Sequence, residues 1–385
     1  MSRTRVSVAD PTRFRPTVAE VDLDAIRHNA RVLKPVRAEL MAVVKAEGYG
    51  HGAAPVARAA LEAGATWLGV AMVEEAIELR EAGIEAPVLV LSEAPPGSEP
   101  DLLGYDITPT VYTDRSVERL VEAAGRVGRA PRIHVKVDTG MHRVGLYPPE
   151  RALEFVRAAV ARGCRFEGLW THFASAEDDE ETTGEQLRAF LAVADELERA
   201  GFVPRYRHAA NSAATIRYPE THLDLVRIGV ALYGLDPGHG LAEAAGLRPA
   251  LVWRSAVSAV RRLPAGVAVS YGHRYRLEWD ATVATVPVGY ADGYLRTLSS
   301  RADVLIGGKR RRVAGTVTMD QLMADCGDDE VESGQEVVLI GRQGGAEITV
   351  SELAALAGTI DYEIVCGIGP RVPRTYRGTA PEVVG

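Results

Sequence analysis

Three cysteines in 385 residues, Cys164, Cys326 and Cys366, stand at long and irregular separations. That is neither a disulfide framework nor a paired-cysteine metal site, and it fits a reducing cytoplasm. No apolar run approaches the ~18 residues of a membrane-spanning helix. The basic N-terminal stretch has no apolar core, so a secretory signal is not expected. Excess positive charge is missing too: 44 Lys and Arg against 52 Asp and Glu give a net charge of −8. A general nucleic-acid binder needs a basic surface, and this balance argues against one. The nine histidines show no ligand spacing such as HExxH, and neither GxSxG nor GxxxxGK[ST] occurs.

The scarcest useful residue is lysine. Only Lys34, Lys45, Lys136 and Lys309 occur among the 44 basic residues. Wherever a plain positive charge suffices, this chain uses arginine. A lysine here is therefore a candidate amine, because a guanidinium cannot be deprotonated to act as a nucleophile.

With 46% hydrophobic residues the chain can bury a sizeable core, and its length suggests two or three domains. From residue 18 to about 235, short β-branched runs alternate with amphipathic, Ala/Glu/Arg/Leu-rich runs. Strands are expected near Val18–Val21, Leu40–Val44, Trp67–Ala71, Val88–Leu91, Ile107–Val111, Ile133–Val137, Leu169–Phe173, Tyr206–Ala209 and Leu225–Ile228. Such alternation predicts a parallel sheet, and eight units would close into a (β/α)8 TIM-like barrel. Nine strands leave one surplus, and the first could pair elsewhere. After about Gly240 the runs become short, period-two and separated by Gly-rich turns, with only SELAALAG helical. That texture predicts a mainly antiparallel β-domain. The expected division is a barrel over 13–240 and a β-domain over 241–385, with a tail over the first dozen residues. GGKRRR (Gly307–Arg312) reads as a hairpin turn with solvated cations on its flanks.

The richest segment is MAVVKAEGYGHG (Met41–Gly52). An apolar strand ends in Lys45, where barrels place catalytic groups. Taken as a bare pattern, Gly48, Gly50 and Ala53, with Glu74 downstream, also satisfy a loosened dinucleotide fingerprint. That reading, a dinucleotide-dependent oxidoreductase, is weakened by the Lys-Ala-Glu between the strand end and the first glycine.

Lys45 with its GYGHG tail resembles the pyridoxal-phosphate (PLP) lysine motif of alanine racemases. HVKVDTGMHRVG (His134–Gly145), EGLWTHFASA (Glu167–Ala176), HAANSAA (His208–Ala214) and RIGVALYGL (Arg227–Leu235) follow in that family's order. So do VSYGHRY (Val269–Tyr275), VPVGYADG (Val286–Gly293), TMDQ (Thr318–Gln321) and RVPRTY (Arg371–Tyr376). Together they span nearly the whole chain.

The resemblance implies a PLP barrel followed by a β-domain, catalysing L- and D-alanine interconversion in the cytoplasm for cell-wall precursors. It implies that Lys45 forms the Schiff base with PLP and exchanges the α-proton on one substrate face. Tyr271 is implied as the opposite-face base, supplied by the second subunit of a homodimer. A phenol needs a neighbouring cation or hydrogen bond for that work, and His172, directed toward Arg227, is the implied neighbour, continuing a cationic relay. Arg227 is implied as donor to the pyridine nitrogen. Because it holds its proton, the ring stays neutral and the carbanion is less delocalised, which favours reprotonation over transamination. Tyr49, Ser212 and Tyr362, with backbone at Gly229 and Val230, map onto the phosphate holders. Arg143 maps onto a contact with the cofactor's phenolic oxygen and the substrate carboxylate, and Tyr290 and Met319 onto the substrate entry and carboxylate pocket. Lys136 maps onto a lysine that many members carry as a carbamate. Two positions depart from the family pattern: Thr318 stands where many members have Cys, and Glu47 where Asn or Asp is usual. Rival readings are a broader-range amino-acid (serine) racemase and a non-catalytic PLP-binding barrel.

Overall fold

The computed structural model describes Phe14–Gly378, so the expected N-terminal tail lies outside the described residues. The chain divides into two compact units, Asp24–Pro249 and a second formed by the segment up to Leu23 with Ala250 onward.

The first unit is the eight-stranded barrel. Its strands are Glu39–Val43, Trp67–Val70, Val88–Val90, Thr108–Val111, Arg132–Lys136, Arg165–Trp170, Tyr206–His208 and Leu225–Ile228. Neighbours pair in parallel in that order, and the last returns to the first, with Met41 opposite Arg227. The remaining seam is closed by backbone bonds: Asp224 N–H donates to Arg207 C=O at 3.1 Å and Arg227 N–H to Ala210 C=O at 3.0 Å. These strands are buried on both faces, which is why they read as continuous apolar runs. Met41, Trp67, Leu89, Tyr206 and Leu225 form one buried cluster of the interior. Connecting helices carry one apolar stripe, as in Asp114–Val127. There Thr113 caps the Ser116 N–H, and Gly128 ends the helix in the left-handed conformation.

This unit extends past Gly240 to Pro249, beyond the point where the β texture begins. Buried Asn29 explains the extension. Its amide donates to Leu232 C=O and Arg248 C=O and accepts from Arg248 N–H, tying the return segment to the barrel.

In the second unit Val18–Asp22 pairs antiparallel with Leu251–Ala256 and parallel with Arg374–Arg377. The surplus strand therefore belongs to this ten-stranded, mostly antiparallel sheet. Gly307 and Gly308, both at positive φ, join Asp303–Ile306 to Lys309–Val313 as a two-residue hairpin. Its cations flank the turn, but Arg311 is mostly buried and paired with Asp329. Besides the helix Val350–Ala357, a second one spans Asp361–Cys366. Six residues carry too short a stripe to be recognised from periodicity. No helix among the described residues is long and apolar enough to cross a membrane.

Candidate active site

Lys45 follows the strand Glu39–Val43 at the carboxyl end of the barrel, and the backbone after it is unusual. Ala46, Glu47, Gly48 and Tyr49 have φ of 51°, 54°, 58° and 52°, one turn of left-handed helix. For L-residues this conformation costs roughly 1–2 kcal/mol each, so it must be held. Gly48 N–H donates to Val44 C=O at 2.9 Å, Gly50 N–H to Ala46 C=O at 3.0 Å and Gly52 N–H to Glu47 C=O at 2.8 Å. The Glu75 carboxylate clamps the turn from outside, accepting from Ala46 N–H at 2.6 Å, Ala71 N–H at 2.7 Å and Met72 N–H at 3.1 Å. Glu47 accepts from Ala53 N–H at 3.3 Å, giving this departure from the family pattern a local role. The turn puts Lys45 and Tyr49 on one side, with the ammonium 6.0 Å from the Tyr49 ring centroid. This geometry also disposes of the dinucleotide fingerprint, whose first glycine must sit at the strand end. Sequence reasoning missed Glu75, because nothing local marks a carboxylate 29 residues away as the clamp.

Tyr49 is buried against Tyr233, ring centroids 4.9 Å apart, and Tyr233 donates to Val43 C=O at 3.0 Å. The Tyr49 hydroxyl lies where Gly229 has no side chain: a Cβ there would stand 2.6 Å from it. Ser212 opens the helix Ser212–Arg217, capped by Asn211. Its Oγ accepts from Gly229 N–H at 3.0 Å and Ala231 N–H at 3.4 Å, leaving its own proton to donate. Tyr49 and Ser212 thus meet at Gly229, and Val230 is the next residue. Two hydroxyls around a glycine that cannot carry a side chain suit a phosphate, so the barrel residues fit the PLP phosphate.

Arg227 is buried on the last strand. It donates to Thr171 C=O and Ala209 C=O, each at 2.8 Å, to His208 Nδ1 at 3.1 Å and to His172 Nδ1 at 3.2 Å. Burial lowers its pKa to about 9, which still leaves it charged at pH 7. His172 is pushed well below the usual histidine range, by burial first and then by Arg227 and Lys136. It is therefore neutral, and the relay expected through it carries a hydrogen bond rather than a positive charge. Gln186 fixes it from behind, donating to His172 C=O at 3.2 Å.

Lys136 is 3% exposed, with its ammonium 4.4 Å from the Trp170 ring centroid. Its pKa falls to about 7, through burial first and then through Arg143 and Arg227. Arg143 lies exposed on the following loop, where Asp138 accepts from Gly140 N–H and His142 N–H.

The remaining candidates lie in the second unit. Tyr271 is 74% exposed. Ser270 before it has φ 65° and ψ −177°, a strained conformation for a side-chain-bearing residue. It is braced by Ser270 Oγ donating to Thr316 C=O at 2.6 Å and Thr316 Oγ1 donating to Tyr271 C=O at 2.9 Å. Tyr290 and Met319 are joined by their backbones: Tyr290 N–H donates to Thr318 C=O and Ala291 N–H to Met319 C=O, both at 3.0 Å. The buried Asp292 locks that turn, accepting from Gly289 N–H at 3.0 Å and pairing with Arg15. Thr318 donates to Gln321 C=O at 2.8 Å and accepts from Gln321 N–H at 3.1 Å, closing the turn that presents Met319. Tyr362 sits half-buried on the helix Asp361–Cys366.

The family model for the alanine racemase N-terminal domain matches residues 21–237 and that for the C-terminal domain matches 250–376. A curated alanine racemase of Symbiobacterium thermophilum is 51% identical over 369 residues, covering 95% of this chain and 98% of the relative. The crystal structure of alanine racemase from a D-cycloserine-producing Streptomyces lavendulae has a TM-score of 0.92 at 44% identity, covering 95% of this chain and 98% of that one. The Bacillus anthracis alanine racemase, solved with bound L-Ala-P, has a TM-score of 0.89 at 39% identity, covering 94% of this chain and 95% of that one.

Proposed function

The chain belongs to the alanine racemase family, and from that premise we propose how its own residues carry out the PLP-dependent interconversion of L- and D-alanine. When bound, PLP supplies the electron withdrawal that acidifies the substrate's Cα–H.

Lys45 would hold the cofactor through its amine, and that amine is the group that moves the α-proton on one face of the substrate. Tyr49, Ser212 and Tyr362, with the backbone at Gly229 and Val230, hold the phosphate. Arg227 donates to the ring nitrogen and keeps its own proton. Arg143, oriented by carbamylated Lys136, meets the substrate carboxylate, and Tyr290 and Met319 shape the entry and the carboxylate pocket.

Racemisation needs a second base opposite Lys45, and Tyr271 takes that role, with the neutral His172 donating toward it from Nε2. The tyrosine comes from the partner of a head-to-tail homodimer, so each barrel mouth is completed by the other subunit. The protein works in the cytoplasm and supplies D-alanine for peptidoglycan.

The observation that carries the reading is the strand-end Lys45 standing with Tyr49, on the turn whose hydroxyl meets Gly229 and Ser212. The test is D-alanine formation from L-alanine by the purified protein, with and without PLP. PLP-dependent formation is expected, and none under either condition overturns the reading.

A further inference from the structure

From Arg227 a file of polar groups runs through the barrel interior. Arg227 Nη1 lies 3.1 Å from His208 Nδ1, His208 Nε2 lies 3.0 Å from His134 Nδ1, and His134 Nε2 faces Glu167 Oε2 at 3.7 Å. Both histidines are fully buried. His134 Nε2 and Glu167 Oε2 face each other beyond hydrogen-bond distance and neither has a hydrogen-bond partner, while the other carboxylate oxygen looks toward Arg132 at 3.9 Å. Aromatic faces wall the file: His208 stacks on Trp170 at 5.5 Å, Arg227 covers the same indole at 4.8 Å, and Trp67 packs on His134 at 5.2 Å. The His134 ring fills the space a side chain at Gly168 would need.

Donor and acceptor chemistry fixes every proton in this file. A guanidinium only donates, so His208 accepts at Nδ1 and carries its proton on Nε2. That proton points at His134 Nδ1, which therefore accepts, leaving His134 with its proton on Nε2. There it meets a carboxylate, which only accepts. Reversing any link sets two donors or two acceptors face to face. Burial holds both imidazoles below their usual range, and both are neutral at pH 7.

Arg227, a buried cation, pairs with no carboxylate among the described residues, although leaving such a charge uncompensated is costly. Its hydrogen bonds lead through His208 to His134, whose Nε2 faces the nearest anion along the file, Glu167, at 3.7 Å.

We propose that Glu167 is a positioning residue for Arg227: acting through His134 and His208, it fixes both ring tautomers and supplies the countercharge at a distance. A carboxylate placed directly on Arg227 would cancel its field at the cofactor ring. Set back by two rings, the anion compensates the cation while Arg227 keeps its full field where it donates. The proposal rests on Arg227 facing the pyridine nitrogen.

Neutron diffraction from deuterium-exchanged holoenzyme crystals reads the chain without reference to turnover. Deuterium is expected on Nε2 of both His134 and His208, and deuterium on either Nδ1 overturns the proposal. A second measurement takes pyruvate released per racemisation event. Glu167→Leu should raise this ratio about fivefold or more, and Glu167→Gln, which keeps an acceptor but loses the charge, should raise it by less yet leave it above the wild-type value. An unchanged ratio in a folded, PLP-loaded Glu167→Leu protein would reduce Glu167 to packing. If that variant does not fold, the Glu167→Gln ratio decides, and a value equal to wild type overturns the countercharge role. A preparation with no racemase activity but with both Nε2 deuterons would overturn the functional reading and leave the chain intact.

Discussion

The Tyr49 hydroxyl occupies the space that a side chain on Gly229 would need, with a Cβ there only 2.6 Å away. Tyr49 cannot retreat easily, since its ring is packed on Tyr233 and its backbone belongs to the left-handed turn. Gly229→Ala should therefore displace the hydroxyl from the phosphate cradle. We expect PLP affinity to drop about tenfold or more and stability to fall by about 1–3 kcal/mol. Fluorescence titration of the apoprotein with PLP checks the first, and unchanged affinity would remove Tyr49 and Gly229 from the cradle.

Lys45→Arg keeps the charge and loses the nucleophile. The variant should show no lysine-linked cofactor absorbance and no measurable racemisation. Borohydride reduction of the wild type followed by peptide mapping should find the pyridoxyl group on Lys45. Label on Lys34 or Lys309 would move the site.

Arg227→Glu puts a carboxylate in place of the cation proposed to face the cofactor ring. Racemisation should slow and pyruvate release per racemisation event should rise by about tenfold or more. A ratio equal to wild type would refute the electronic role of Arg227.

Lys136 has a folded-state pKa near 7 instead of 10.5, so its amine is about half neutral at pH 7 and nearly all neutral by pH 8.5. Only the neutral amine reacts with CO2, and the product replaces a cation beside Arg143 and Arg227 with an anion. Carbon-13 NMR in labelled bicarbonate should show a carbamate signal that grows from pH 6 to 8.5 and is missing in Lys136→Arg. No signal in the wild type would exclude the modification.

Lys45→Ala and Tyr271→Phe, each nearly inactive alone, test the shared site when mixed, dissociated and reassociated. If each site takes Lys45 from one subunit and Tyr271 from the other, a mixed dimer has one site with both bases and one with neither. Random reassociation makes half the dimers mixed, so activity should recover to about a quarter of wild type. If one subunit supplied both bases, every site would still lack one and mixing would restore nothing.

The strand-end place of Lys45 was legible because its signals are local: an apolar strand ending in one of four lysines, followed by a glycine-rich loop. The alternating barrel units and the period-two β-domain were legible for the same reason, since each element's pattern lies within its own segment. Tertiary structure decided what depends on groups far apart in the chain. Val18–Asp22 joins strands more than 200 residues away, and the left-handed turn after Lys45 is clamped by Glu75. His172 loses its charge, and Lys136 acquires a pKa near 7, only when burial strips away water and brings arginines close. The direction of the His208–His134 file follows from Arg227 at one end and Glu167 at the other, a pairing no segment contains. Propensity and periodicity are written residue by residue, whereas desolvation, countercharge and donor–acceptor matching exist only between residues that folding brings together.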